Sequence, residues 1–124
     1  MIPDKQQYNP GSRAARFLKM RDAILAHEAA MRELRPGVRE LPAGPFVIHY
    51  AVPGALGAQR LYNITIWPIG AAPGGHLVHG NKIASIDWNE HDEVFIISFN
   101  CGEWENELLR LLIERDEREL HEPQ

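Results

Sequence analysis

From Phe17 to Leu34 one side of the chain repeats every three or four residues. Phe17, Met20, Ile24, His27, Met31 and Leu34 fall on a single stripe, the periodicity of an amphipathic helix. The run SRAARFLKMRDAILAHEAAMRELR (12–35) has alanine-rich filler and no internal Gly or Pro, which favours a helix. Ser12 stands where it can cap the start, and Pro36-Gly37 where it can stop the end. The spacing predicts a helix over 12–35.

After the connector LPAGP the period falls to two. FVIHYAV (46–52) places Phe46, Ile48, Tyr50 and Val52 on one face, and RLYNITIW (60–67) places Tyr62, Ile64 and Ile66 on one face. HLVHGNKIASIDW (76–88) reads as one or two strands broken at Gly80-Asn81. NEHD is a four-residue turn, and EVFIISF (93–99) is the strongest strand. The closing helix is EWENELLRLLIERDEREL (103–120), where Asn100 followed by Glu103 makes a capping-box pattern. Its apolar surface is wide, with Trp104, Leu108, Leu111 and Leu112 on one side and Leu109, Ile113 and Leu120 extending it to a second. Short links between strands require antiparallel pairing. The expected fold is therefore α+β, an antiparallel four- to five-stranded meander, open or partly closed into a barrel, flanked by an N-terminal and a C-terminal helix. One domain over 12–121 would follow a flexible arm, 1–11.

Both faces of the strands carry apolar residues. Leu61 and Trp67 oppose Tyr62, Ile64 and Ile66, and Val94 and Ile96 oppose Phe95, Ile97 and Phe99. Both faces should then be covered, by one helix each, by barrel closure, or by a second copy of the chain, and a homodimer is the preferred expectation. The stretch GGHLVHGNKIASIDWNEHDEVFIISF (74–99) also resembles the strand–turn–strand–hairpin pattern of small SH3-like barrels, on alternation and turn placement alone.

Totals narrow the class. The 124 residues are 44 % hydrophobic and 24 % charged, the balance of an ordinary globular domain. A single cysteine excludes an internal disulfide, and the first eleven residues hold no apolar core of a secretory leader, so a cytoplasmic protein is expected, with no membrane span. The net charge of −4 is uneven: 8 Lys/Arg against 5 Asp/Glu in 1–40, two cations and no acids in 41–86, and 3 against 12 in 87–124. The acidic final third would repel phosphates, so nucleic acid is not an expected partner.

Candidate chemistry clusters in PGGHLVHGNKIASIDW (73–88). The glycine loops GALG and GAAPGG lead into strands, without the helix N-terminus that makes such loops phosphate cradles, and no cofactor is expected. His76 and His79 are three apart, so in a strand they face opposite ways; they can share a metal only from a loop, and no zinc-ligand spacing accompanies them. No metal site is expected. Cys101, in FNCGEW, precedes a helix start that would lower a thiol pKa, while Glu103, Glu105 and Glu107 work against a thiolate. An enzyme built here would recruit His76, His79, Asp87, His91 and Cys101, as a hydrolase or nuclease, with Lys82 and Glu90 joining a metal-free phosphodiester cleavage, or Asp87 and Glu93 holding magnesium. The preferred expectation is a small cytoplasmic protein that binds another macromolecule, as an inhibitor, immunity-like factor or regulator, without catalysis. His76, His79, Lys82 and Trp104 would contact a protein partner, steered by the acidic end.

Overall fold

The computed structural model describes residues 7–53, 61–68, 82–100 and 102–121, apart from the side chains of 96, 97 and 116–121. Helix α1 (Arg13–Leu25) leads through a short 3-10 turn (Glu28–Ala30) into six strands. These are β1 (Arg32–Arg35), β2 (Val38–Ala43), β3 (Phe46–Ala51), β4 (Tyr62–Pro68), β5 (Ala84–Trp88) and β6 (Val94–Phe99). Helix α2 (Trp104–His121) follows. The strands lie side by side in chain order, every neighbouring pair antiparallel. The α+β meander between two helices is therefore present, with six strands among the described residues in place of four or five. Among the described residues the sheet is open, with β1 and β6 at its edges, so the barrel alternative and the SH3-like closure are not realised.

The largest departure from expectation is the end of α1. Its start is as expected, with Ser12 Oγ accepting from Ala15 N at 3.1 Å. It stops at Leu25 rather than at 35, because the segment that carries the rest of the stripe finds stronger partners elsewhere. His27 turns inward, buried, with Nε2 3.0 Å from the Leu112 carbonyl of α2. Beyond it, Arg32 lies opposite Glu40 and Glu33 opposite Arg39. These are opposite charges set directly across two strands, an arrangement that stabilises a sheet and outweighs a helix propensity that is a weak prior. Pro36-Gly37 is a hairpin turn instead of a helix stop. Arg35 faces Val38, and Gly37 takes φ +83, the conformation a type II turn demands after proline. The presumed connector LPAGP is likewise the end of β2 and a two-residue turn, Ala43 facing Phe46 across Gly44 at φ +56.

Both helices pack on the same face of the sheet. Phe17, Met20 and Ile24 of α1, with Leu108 and Leu112 of α2, share one core cluster with Ile48, Ile64, Ile66, Ile86 and Phe99. Two polar ties fix the helices beside each other. Arg16 grips Glu105 with two nitrogens, Nε to Oε2 at 3.1 Å and Nη2 to Oε1 at 2.5 Å, and His27 holds Leu112 as described. α2 opens at Trp104, where Glu105 reaches back to accept from Gly102 N at 3.2 Å. The expected Asn100 cap is not used, since Asn100 N pairs with Ile83 O.

Candidate functional site

The face of the sheet turned away from the helices was expected to be apolar and is mostly polar. Alternation puts Glu40, His49, Thr65 and Ser85 there, and the register sets them in line: Arg32 faces Glu40, Glu40 faces His49, His49 faces Thr65, Thr65 faces Ser85 and Ser85 faces Ser98. One polar residue from each of the six strands thus forms a single row. Glu40 is its charged centre, 6 % exposed. One carboxylate oxygen takes Arg32 Nη2 at 3.0 Å and the other lies 3.0 Å from His49 Nε2. Thr65 Oγ1 donates to Asn63 Oδ1 at 2.8 Å and is 3.1 Å from Ser85 Oγ. A buried carboxylate is tolerable only with such partners, and here they come from the adjoining strands.

Of the residues singled out from the sequence, His76, His79 and Cys101 lie outside the described residues. The others do not gather. Asp87 is on the polar face, half-buried, its Oδ1 accepting from Asn63 Nδ2 at 2.8 Å. His91 sits exposed at the tip of the β5–β6 turn, 3.8 Å from Glu90. Glu93, the suggested magnesium partner of Asp87, accepts from Asn89 Nδ2 at 3.0 Å. Lys82 is exposed at the opposite end of β5 from His91. Trp104 is half-buried against Phe46 and Phe99, its indole N–H donating to Asn100 O. No group of three His, Cys, Asp or Glu side chains that could hold a metal forms among the described residues.

A cleft that sequence reasoning missed lies where α1 crosses the end of the sheet. It has a volume of about 350 Å³, with Arg21, Tyr50, Tyr62, Trp88, Glu90 and Asp92 among its walls. The rings of Tyr50 and Tyr62 stand nearly parallel to that of Trp88, at 6 and 17 degrees and centroid distances of 6.2 and 5.6 Å. They do so because these three residues share the helix-facing side of β3, β4 and β5. The Arg21 guanidinium lies 5.4 Å above the Trp88 ring centroid, a cation–π contact. Asp92 holds it from the turn, through Nη1 at 2.7 Å and Nη2 at 3.3 Å, and Asp22 holds it from the helix. Burial works to lower the guanidinium pKa, but the hydrogen bonds it donates to Asp92 and Asp22, with the charges of those carboxylates, outweigh it and leave it raised. Asp92 adopts φ 60, a conformation aspartate tolerates better than most residues. The turn that places it is built by Asn89, whose Oδ1 accepts from His91 N and Glu93 N. The NEHD turn was expected from the sequence, whereas the role of Arg21 was not. Its partner is 71 residues away in sequence, a distance no local pattern reports.

Burial pushes the Tyr50 phenol pKa up, and the Glu28 carboxylate adds to the shift. The neutral phenol is thus favoured by folding. Its contribution to stability is complete below the unfolded pKa, near about 10, and is lost as pH rises from there through the folded one. An ultraviolet titration of the folded chain should show a tyrosine ionising above the ordinary value, and that step should vanish in Tyr50→Phe. A titration unchanged by the substitution would contradict the placement of this ring.

Compared with known protein families, curated proteins and solved structures, the chain matches none. No helix among the described residues is long and apolar enough to cross a membrane.

Proposed function

We propose that the chain is a small cytoplasmic protein that binds another macromolecule, as an inhibitor, immunity-like factor or regulator, and performs no catalysis of its own. The observation that carries this reading is the outward face of α2. Glu103, Glu107, Arg110 and Glu114 are exposed along one stripe, and Ile113 at its flank is 57 % exposed. Carboxylates around an apolar side chain speed the approach of a basic partner and leave an anchor that gains by being covered. The charge of the surrounding sequence, −9 over residues 87–124 (3 Lys/Arg minus 12 Asp/Glu), supports a basic protein as that partner. Four of the arginines elsewhere are turned to internal ties: Arg16 to Glu105, Arg21 to Asp92, Arg32 to Glu40 and Arg39 to Glu28.

The test is association between purified components once affinity capture from the source cells has identified a candidate. The triple variant Glu103→Lys, Glu107→Lys, Glu114→Lys should weaken binding by about tenfold or more, and the wild-type association rate should fall with salt. Binding indifferent to the triple variant would overturn the reading. So would an enzymatic activity that disappears in Asp87→Ala or His91→Ala with the fold intact, because a hydrolase or nuclease would then be the better account.

A second copy of the chain is a further partner that we propose, seated on β6. Phe95 is 49 % exposed there, and the strand sequence VFIISF carries no charge, whereas β1 at the opposite edge reads RELR. Charged edge strands resist pairing with another chain and uncharged ones invite it. A sedimentation equilibrium showing only monomer at every concentration would remove this contact.

A further inference from the structure

We infer that Tyr8 guards the β6 edge and sets how readily the chain pairs with a second copy, a role that rests on the self-pairing proposed above for that strand. The contact spans 86 residues of sequence: the Val94 amide N–H donates to the Tyr8 hydroxyl at 2.9 Å. Val94 opens β6 and stands opposite Trp88 of β5, yet its N–H goes to a residue outside the sheet. A backbone N–H on the free side of an edge strand is the group that a further strand would take. Tyr8 therefore stands where a carbonyl of a second copy would.

The local sequence holds Tyr8 in place. Asn9-Pro10-Gly11-Ser12 closes as a β-turn, with Ser12 N donating to Asn9 O at 2.9 Å and proline at the position whose φ it fixes. Ser12 then caps α1, and α1 rests on β6, the Phe17 ring 5.9 Å from that of Phe99. A turn and a packed helix thus position the hydroxyl in advance, which lowers the cost of ordering it. A second feature opposes pairing at the same end of the strand. Ile96 faces Asp87 and Val94 faces Trp88, which leaves Phe95 as the extra residue of a bulge, a device that turns an edge away from other chains. Both obstacles fall at 94–95, whereas 96–99 of this uncharged strand keep a regular register with β5.

A closed pair of identical chains is two-fold symmetric. Joined antiparallel through β6, the first residues of one strand meet the last of the other. Both Tyr8 ties must then open for the strands to pair along their full length, so each dimer meets the guard twice.

Sedimentation equilibrium of the full chain, wild type against Tyr8→Phe, tests this. The substitution keeps the ring and deletes only the acceptor. One such bond is worth about two- to tenfold in an equilibrium constant, so losing both should tighten the dimer by about tenfold. In dilute monomer the Val94 amide should exchange its hydrogen about two- to tenfold faster in Tyr8→Phe. The amide of buried Ile64 should be unaffected, which separates loss of the tie from loss of the fold. The double variant Tyr8→Phe, Phe95→Lys puts a charge at a side chain already 49 % exposed and should return the protein to monomer. A Tyr8→Phe dimer no tighter than the wild type, or unchanged exchange at Val94, would overturn the guard and leave the pairing standing. Monomer at every concentration in both proteins, or a double variant that pairs as tightly as Tyr8→Phe, would overturn the pairing through β6 and the guard with it.

Discussion

Phe17→Ala should lower the stability of the fold by about 3–5 kcal/mol, the largest effect expected from a single substitution here. Phe17 is fully buried. Its ring meets Trp88 at 5.9 Å and 53 degrees, and Phe99 edge-on at 5.9 Å and 84 degrees. Truncation removes the aromatic packing and leaves a cavity between α1 and two strands, and neither the helix nor the sheet can move far to fill it, because other core residues on the same elements hold them apart. Urea unfolding should show a lower midpoint with an unchanged slope. Ile113→Ala is the internal control: its side chain is largely exposed, and its loss should stay within about 0.5 kcal/mol. A Phe17→Ala protein as stable as the wild type would mean that α1 does not rest on β5 and β6.

The second large effect should come from Arg21→Met, at about 2–3 kcal/mol. Arg21 and Asp92 are 10 % and 15 % exposed at their side chains. Removing one member of such a pair leaves the other's desolvation only partly compensated, which costs more than the pair itself contributes. Methionine keeps most of the stem over Trp88 and isolates the charge. Adding Asp92→Asn to Arg21→Met should recover part of the loss, since the stranded carboxylate is then gone, and the double-mutant cycle should return a coupling of about 1–3 kcal/mol. Additive losses would show that the turn and α1 are not linked through this pair.

What could be read from the sequence follows how local each signal is. β3, β4 and β6 were legible because the apolar alternation of FVIHYAV and RLYNITIW and the short, β-branched and aromatic apolar run of EVFIISF are properties of neighbours in the chain, and their observed bounds differ from the expected ones only at the ends. α2 was legible for the same reason at helical period. β1 and β2 were not. Met31 and Leu34 continue the stripe of α1, and nothing in RELR alone shows that Glu33 will face Arg39. That pairing exists only once Pro36-Gly37 turns the chain back. The polar row and the cleft were illegible for a stronger version of the same reason. A row from Arg32 to Ser98 depends on five strand registers at once, and Arg21 meets Trp88 and Asp92 only when helix and turn are brought together. The histidine-rich stretch drew attention because its chemistry was concentrated in sequence, whereas the charges placed by the fold come from scattered positions.

The claim on which the rest depends is that residues 32–43 form a hairpin within the sheet. Only then does Glu40 join Arg32 to His49, and only then do both helices lie on one face with the polar row on the other. Nuclear Overhauser contacts between backbone protons test this directly. Cross-strand contacts should join Arg32 to Glu40 and Glu33 to Arg39, with amides at the Leu41–Ile48 pairing among the slowest to exchange. A continuous series of sequential amide–amide contacts from Ala26 through Arg35, the signature of one long helix, would contradict the account.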